Sequence, residues 1–118
     1  MYVINRSTLI LFHKLPLIEW QNKIFPDDQM EYEPNFFQND MAHVYLTPEF
    51  ESDEEFENWM KENFVEIFID VLADWCVDEK LWPKDLTYKL FKEWFHINYQ
   101  SMVIDTLDEP IEVDDFED

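Results

Sequence analysis

Not one of the 118 residues is glycine, where average usage of roughly 7% would supply about eight. That absence removes whole classes of chemistry. A phosphate-cradling P-loop, a GxGxxG dinucleotide turn, a GxSxG nucleophile elbow and an EF-hand loop each need glycine where the backbone turns sharply or approaches a ligand. None can be built from this chain.

The charge balance narrows the partners. The chain has 28 acidic against 8 basic side chains, a net charge of −20 and a pI near 4.1. A field of that sign repels nucleic-acid phosphates and anionic membrane surfaces, and attracts cations and basic protein surfaces. Direct nucleic-acid binding is therefore not expected. A hydrophobic share of 47% with 18% aromatics still provides enough apolar matter for a core, so the chain is expected to fold. No apolar run reaches the roughly 18–20 residues of a membrane span, and the N-terminus has no signal-peptide order. A single cysteine, Cys76, offers neither a disulfide framework nor a metal-binding pair and fits a reducing compartment.

Hydrophobic periodicity predicts the elements. Thr8 to His13 reads as a buried strand, and Pro16 can open a helix with Leu17, Trp20 and Ile24 on one face, ending by Pro26. Residues 26–41 read as an irregular segment pinned by Phe36 and Phe37. His43 to Thr47 alternates and stops at Pro48, which suggests a second strand. Ser52 with Glu55 forms a capping box, and Asp53, Glu54, Glu55 and Glu57 favour the positive end of the helix that follows. Phe56, Trp59, Met60, Phe64, Ile67, Phe68, Val71, Leu72 and Trp75 then hold the 3.6 period. Pro83 blocks continuation. Asp85 or Thr87 can cap a further short helix through Leu90, Phe91, Trp94 and Phe95, and Tyr99 to Leu107 reads as a third strand.

These elements predict one α+β domain over residues 1–108, with about three strands, helices on one face and the order β-α-β-α-α-β. Residues 109–118 continue an acid-rich end, with eight acids in the last 14 residues, and read as a solvated tail.

Val44 to Glu49, Ala73 to Pro83, Phe91 to Phe95 and Ser101 to Asp105 resemble a family of short acidic bacterial proteins of unknown function. The most specific part is the block Trp75-Cys76-Val77-Asp78-Glu79-Lys80-Leu81-Trp82-Pro83. The resemblance implies a bacterial cytoplasmic α+β domain and brings no activity, cofactor or ligand. Relatives often carry Tyr-Thr where Cys76-Val77 stand, which argues against a catalytic Cys76.

Two groups of residues are candidates for function. Glu62, Glu66, Asp70, Asp74 and Asp78 recur every four residues and would form a like-charge stripe, at a cost of about 1–2 kcal/mol over its four adjacent pairs. The stripe is either a solvated face or a docking surface for a basic protein. As a nucleic-acid mimic it is too sparse alone, because four residues of helix rise about 6 Å whereas phosphates of one DNA strand recur every ~3.4 Å. The second group is Trp75, Asp78, Glu79 and Trp82, on a non-helical connection where a small enzyme or ligand-binding site could sit with His43 or His96 nearby. The same residues would otherwise pack the core and cap backbone N–H groups. His13, His43 and His96 show no metal-ligand spacing, and the acids around Cys76 disfavour a thiolate. Abundant carboxylates could support acid–base chemistry or loose calcium or magnesium binding, with no spacing that selects either. The expectation is therefore a non-enzymatic interaction module with no catalytic residues, metal or cofactor, which docks a basic protein surface.

Overall fold

A computed structural model describes residues 1–32 and 41–114. The fold is a small α+β domain of three helices and five short strands. The strands are β1 (Tyr2–Val3), β2 (Ser7–His13), β3 (His43–Thr47), β4 (Phe95–Gln100) and β5 (Ile104–Asp105). The helices are α1 (Leu15–Ile24), α2 (Asp53–Trp75) and α3 (Tyr88–Trp94), with a 3-10 turn at Glu79–Leu81 between the last two.

The main sheet is antiparallel with β2 in the centre, in the order β3-β2-β4. Period-2 burial along β2 decides its sidedness. Ser7, Leu9, Leu11 and His13 are buried, and Thr8, Ile10 and Phe12 between them are only half-buried. Leu9 and Leu11 enter one core with Leu17 of α1, Met60, Ile67, Phe68, Val71 and Leu72 of α2, Phe91 of α3 and Phe95 of β4. The helices thus cover one face, as predicted. On the other face, Val44 and Leu46 of β3 stay 62% and 52% exposed.

Two strand predictions need correction. The third strand of the main sheet begins at Phe95, directly after α3, and not at Tyr99. Phe95 suits either element: it continues the helical face of Phe91 and also starts the alternation Phe95, Ile97, Tyr99 that faces the helices. The strand takes it because the pairing His13 to Phe95 closes the ladder with β2. The second correction concerns number, since β1 and β5 form a separate two-stranded ribbon. It continues the β2–β4 ladder with one extra residue on the N-terminal side: Thr8 pairs with Gln100, but Val3 pairs with Ile104. Such a slip leaves a residue unpaired and separates the two ladders. Met102, Val103 and Ile104, expected inside the third strand, lie at and beyond this break.

Capping follows the predicted chemistry. The Ser52 hydroxyl accepts from the Glu55 N–H at 3.1 Å, while the Glu55 carboxylate accepts from the Glu51 N–H at 3.3 Å, one residue earlier than in the usual reciprocal box. Thr87, and not Asp85, caps α3 by accepting from the Leu90 N–H at 3.1 Å. Ser52→Ala is expected to lower unfolding free energy by about 1 kcal/mol in urea denaturation; an unchanged midpoint would mean that the cap contributes nothing. Phe36 and Phe37 lie outside the described residues, as do residues 115–118. Residues 109–114 are exposed and carry no regular structure.

Candidate functional site

The acidic stripe does not remain a stripe. Asp70 accepts a hydrogen bond from the Tyr45 hydroxyl at 2.8 Å, and Asp74 accepts from His43 Nε2 at 3.2 Å. The geometry follows from two repeats. Residues four apart on a helix rise about 6 Å, and residues two apart on a strand are separated by about 6.6–6.8 Å. Asp70 and Asp74 of α2 therefore meet Tyr45 and His43 of β3 rung for rung. Asp78 is absorbed differently: its carboxylate accepts from the Lys80 N–H at 3.1 Å and caps the 3-10 turn. Of the five stripe residues, Glu62 and Glu66 are exposed on α2 without a partner among the described residues.

The seam between α2 and β3 extends into the core through a second histidine. His43 Nδ1 lies 3.1 Å from His13 Nε2. The ring centroids are 5.2 Å apart with planes inclined by 26°, so the centroid spacing exceeds the nitrogen spacing by about two ring radii. The nitrogens therefore face each other along the line between the rings, as in an in-plane hydrogen bond. Proton positions follow from the partners. Asp74 is an acceptor, so His43 carries its proton on Nε2 and accepts at Nδ1; His13 then donates from Nε2, leaving its Nδ1 a lone pair. That Nδ1 is buried and has no hydrogen-bond partner among the described residues. Burial, reinforced by His43, pulls the His13 imidazole down to about 4 from its usual 6.5. It is therefore neutral at physiological pH, whereas burial and the bond to Asp70 push the Tyr45 hydroxyl up and keep it protonated.

His13, Met41, Ala42, His43, Asp74 and Trp75 line an open pocket of about 390 Å³ at this seam. Among the described residues, no group of three or more His, Cys, Asp or Glu side chains is placed to hold a metal ion. Sequence spacing gives these histidines no metal-ligand pattern. Yet His13 ends β2 and His43 begins β3, and antiparallel pairing brings the end of one strand to the start of its neighbour. That pairing was the signal that could have found them.

The candidates Trp75, Asp78, Glu79 and Trp82 do not converge. Trp75 lines the histidine pocket, and Asp78 caps a turn. Glu79 is exposed. The Trp82 indole N–H donates to the Cys76 carbonyl at 2.7 Å while its ring packs against the core. Trp82 borders a different pocket, which neither Asp78 nor Glu79 lines. Cys76 is a free, half-buried thiol within 4.0 Å of the Asp78 carbonyl.

No family model matches the chain, and no curated protein or solved structure matches it either. No helix of the described residues is long and apolar enough to cross a membrane.

Proposed function

We propose that this chain is a non-enzymatic, cytoplasmic interaction module that docks a basic protein surface on the outer face of α2. One observation carries the reading: Val65 and Ile69 stay 40% and 37% exposed in the middle of the helix, with the unpartnered Glu62 and Glu66 along one side of them. Residues three and four apart are neighbours on a helix surface, so the four side chains form one patch, apolar along one side and acidic along the other. Charge elsewhere does not neutralise it. Among the described residues, none of the eight Lys and Arg side chains pairs with a carboxylate, and the ion-pair geometry that does occur joins His43 to Asp74. A partner would supply cations for the acidic side and apolar contact for the other, the division of labour common to protein interfaces.

Two other readings have less support. A nucleic-acid mimic needs rows of unengaged carboxylates, and Asp70 and Asp74, although exposed, are each hydrogen-bonded to β3. A site at residues 75–83 needs its candidate residues to share a pocket, and they do not.

Calorimetric titration with two basic peptides of one composition tests the proposal. One is patterned as an amphipathic helix of Lys and Leu, and the other is scrambled. The patterned peptide is expected to bind saturably, to weaken as salt rises from about 50 to about 500 mM, and to lose affinity at least about fivefold against Glu62→Gln/Glu66→Gln or Ile69→Ser. Equal binding of both peptides, or indifference to these substitutions, would overturn the assignment to α2.

A further inference from the structure

A second pocket, more enclosed than the first, lies between the end of α1 and the 3-10 turn. Its volume is about 430 Å³, and Trp20, Lys23, Ile24, Lys80, Leu81 and Trp82 line it. The size is that of a small-molecule site.

Its chemistry inverts that of the rest of the molecule. Acids make up 28 of the 118 residues, and none lines this pocket, whereas two lysines do. Neither ammonium pairs with a carboxylate among the described residues. Both indole N–H groups are already committed. Trp20 donates to the Leu81 carbonyl at 2.8 Å and Trp82 to the Cys76 carbonyl at 2.7 Å, which holds the rings in place and removes them as donors.

The side chains that remain define the ligand by exclusion. They offer two fixed aromatic rings, two aliphatic groups and two ammonium donors, and no acceptor. A ligand rich in hydrogen-bond donors would bury them unpaired, and a cation would meet the two lysines. A wholly apolar ligand would cover the ammonium groups without replacing their water. A flat apolar body bearing one anionic group meets all three conditions, with its ring against Trp20 and Trp82 and its charge on Lys23 and Lys80. The net charge of the molecule opposes an anion. At about 0.15 M ionic strength, however, the screening length is about 8 Å, which damps the distant carboxylates, and the nearer Glu19 and Glu79 lie outside the lining.

We infer that this pocket binds a small organic anion, a carboxylate or phosphate carried on a flat body of aromatic size. The site is separate from the α2 face and stands whether or not that face binds a protein.

The probe is 2-naphthoate, with the neutral 2-naphthamide as its isostere, titrated into the intact chain while the indole N–H signals are followed by ¹H–¹⁵N NMR. Naphthoate is expected to shift the Trp20 and Trp82 signals saturably, with half-saturation below about 1 mM, and naphthamide to bind at least about fivefold more weakly. Lys23→Gln/Lys80→Gln should abolish that preference while leaving the remaining indole signals in place, since both lysines are exposed. Equal binding of the two probes, shifts that do not saturate, or an anion preference that survives loss of both lysines would each overturn the inference. The comparison of probes on the unsubstituted chain tests the claim even if the double variant fails to fold.

Discussion

Phe68→Ala is expected to lower the unfolding free energy by about 3–5 kcal/mol, the usual cost of emptying a buried phenylalanine site. Phe68 is fully buried on α2 and lies edge-on to three rings: Phe91 at 5.5 Å, Trp94 at 5.7 Å and Phe95 at 5.6 Å between centroids. Those rings belong to α3 and to the first residue of β4, so a single side chain joins the long helix to the segment where helix turns directly into strand. Rigid neighbours cannot close the cavity by small rotamer changes, which places the cost toward the upper end of the range. A domain of this size has roughly 5–15 kcal/mol in total, and the loss corresponds to a fall of roughly 10–25 °C in Tm. Ile69→Ser, one residue away on the exposed face, should change stability by no more than about 0.5 kcal/mol. Urea melts of both variants decide the matter. A loss below about 1 kcal/mol for Phe68→Ala would mean that the core is not organised around this ring.

How much of this was legible in the sequence depended on whether one element or two had to be known. The 3.6 period from Phe56 to Trp75 and the cap at Ser52 are local, and α2 runs from Asp53 to Trp75 as they imply. The apolar run of β2 and the alternation of β3 are local too. Phe95 was misassigned because it satisfies both periods, and only the partner strand breaks the tie. Asp70 and Asp74 looked like a charge stripe because their spacing was read against α2 alone. Their role depends on Tyr45 and His43, 25 and 31 residues away. In the same way, the pocket between α1 and the 3-10 turn could not be read from the block 75–83, because Trp20, Lys23 and Ile24 complete it from the other side.

These placements also change the meaning of the net charge. The acids behind the total of −20 are clustered along the chain, and the fold gives the clusters different roles. Ser52 and the carboxylates beside it stabilise the start of α2, Asp70 and Asp74 tie α2 to β3, and Asp78 shapes a turn. The acids left for a partner on α2 are Glu62 and Glu66. The cations are also placed unevenly, with two lysines on the Trp20–Trp82 pocket. The electrostatic character of the surface is therefore local, and patches of opposite sign fit on one small domain.

The His13–His43–Asp74 chain should appear as a pH dependence of stability with a defined sign. His13 is held neutral in the fold, with its imidazole pulled down to about 4, and returns to its ordinary 6.5 on unfolding. Between those values the unfolded state binds more protons than the folded one, so stability rises with pH. The contribution is fully present above about pH 6.5 and is lost as pH falls toward 4. It amounts to about 3 kcal/mol at most, and its slope cannot exceed about 1.4 kcal/mol per pH unit for a single proton. Protonation of crowded carboxylates acts in the opposite direction over the lower part of this range, because it relieves repulsion in a chain of this charge. The informative quantity is therefore the difference between the native chain and His13→Leu, which keeps an apolar group beside Phe95 and removes the titrating one. Urea midpoints at intervals from pH 7.5 to pH 4.5 are expected to converge, with the native chain losing about 2 kcal/mol more than the variant over that interval. Curves that run parallel would show that His13 takes up its proton as readily in the folded chain as in the unfolded one, and would remove the buried, neutral imidazole from the account of this seam.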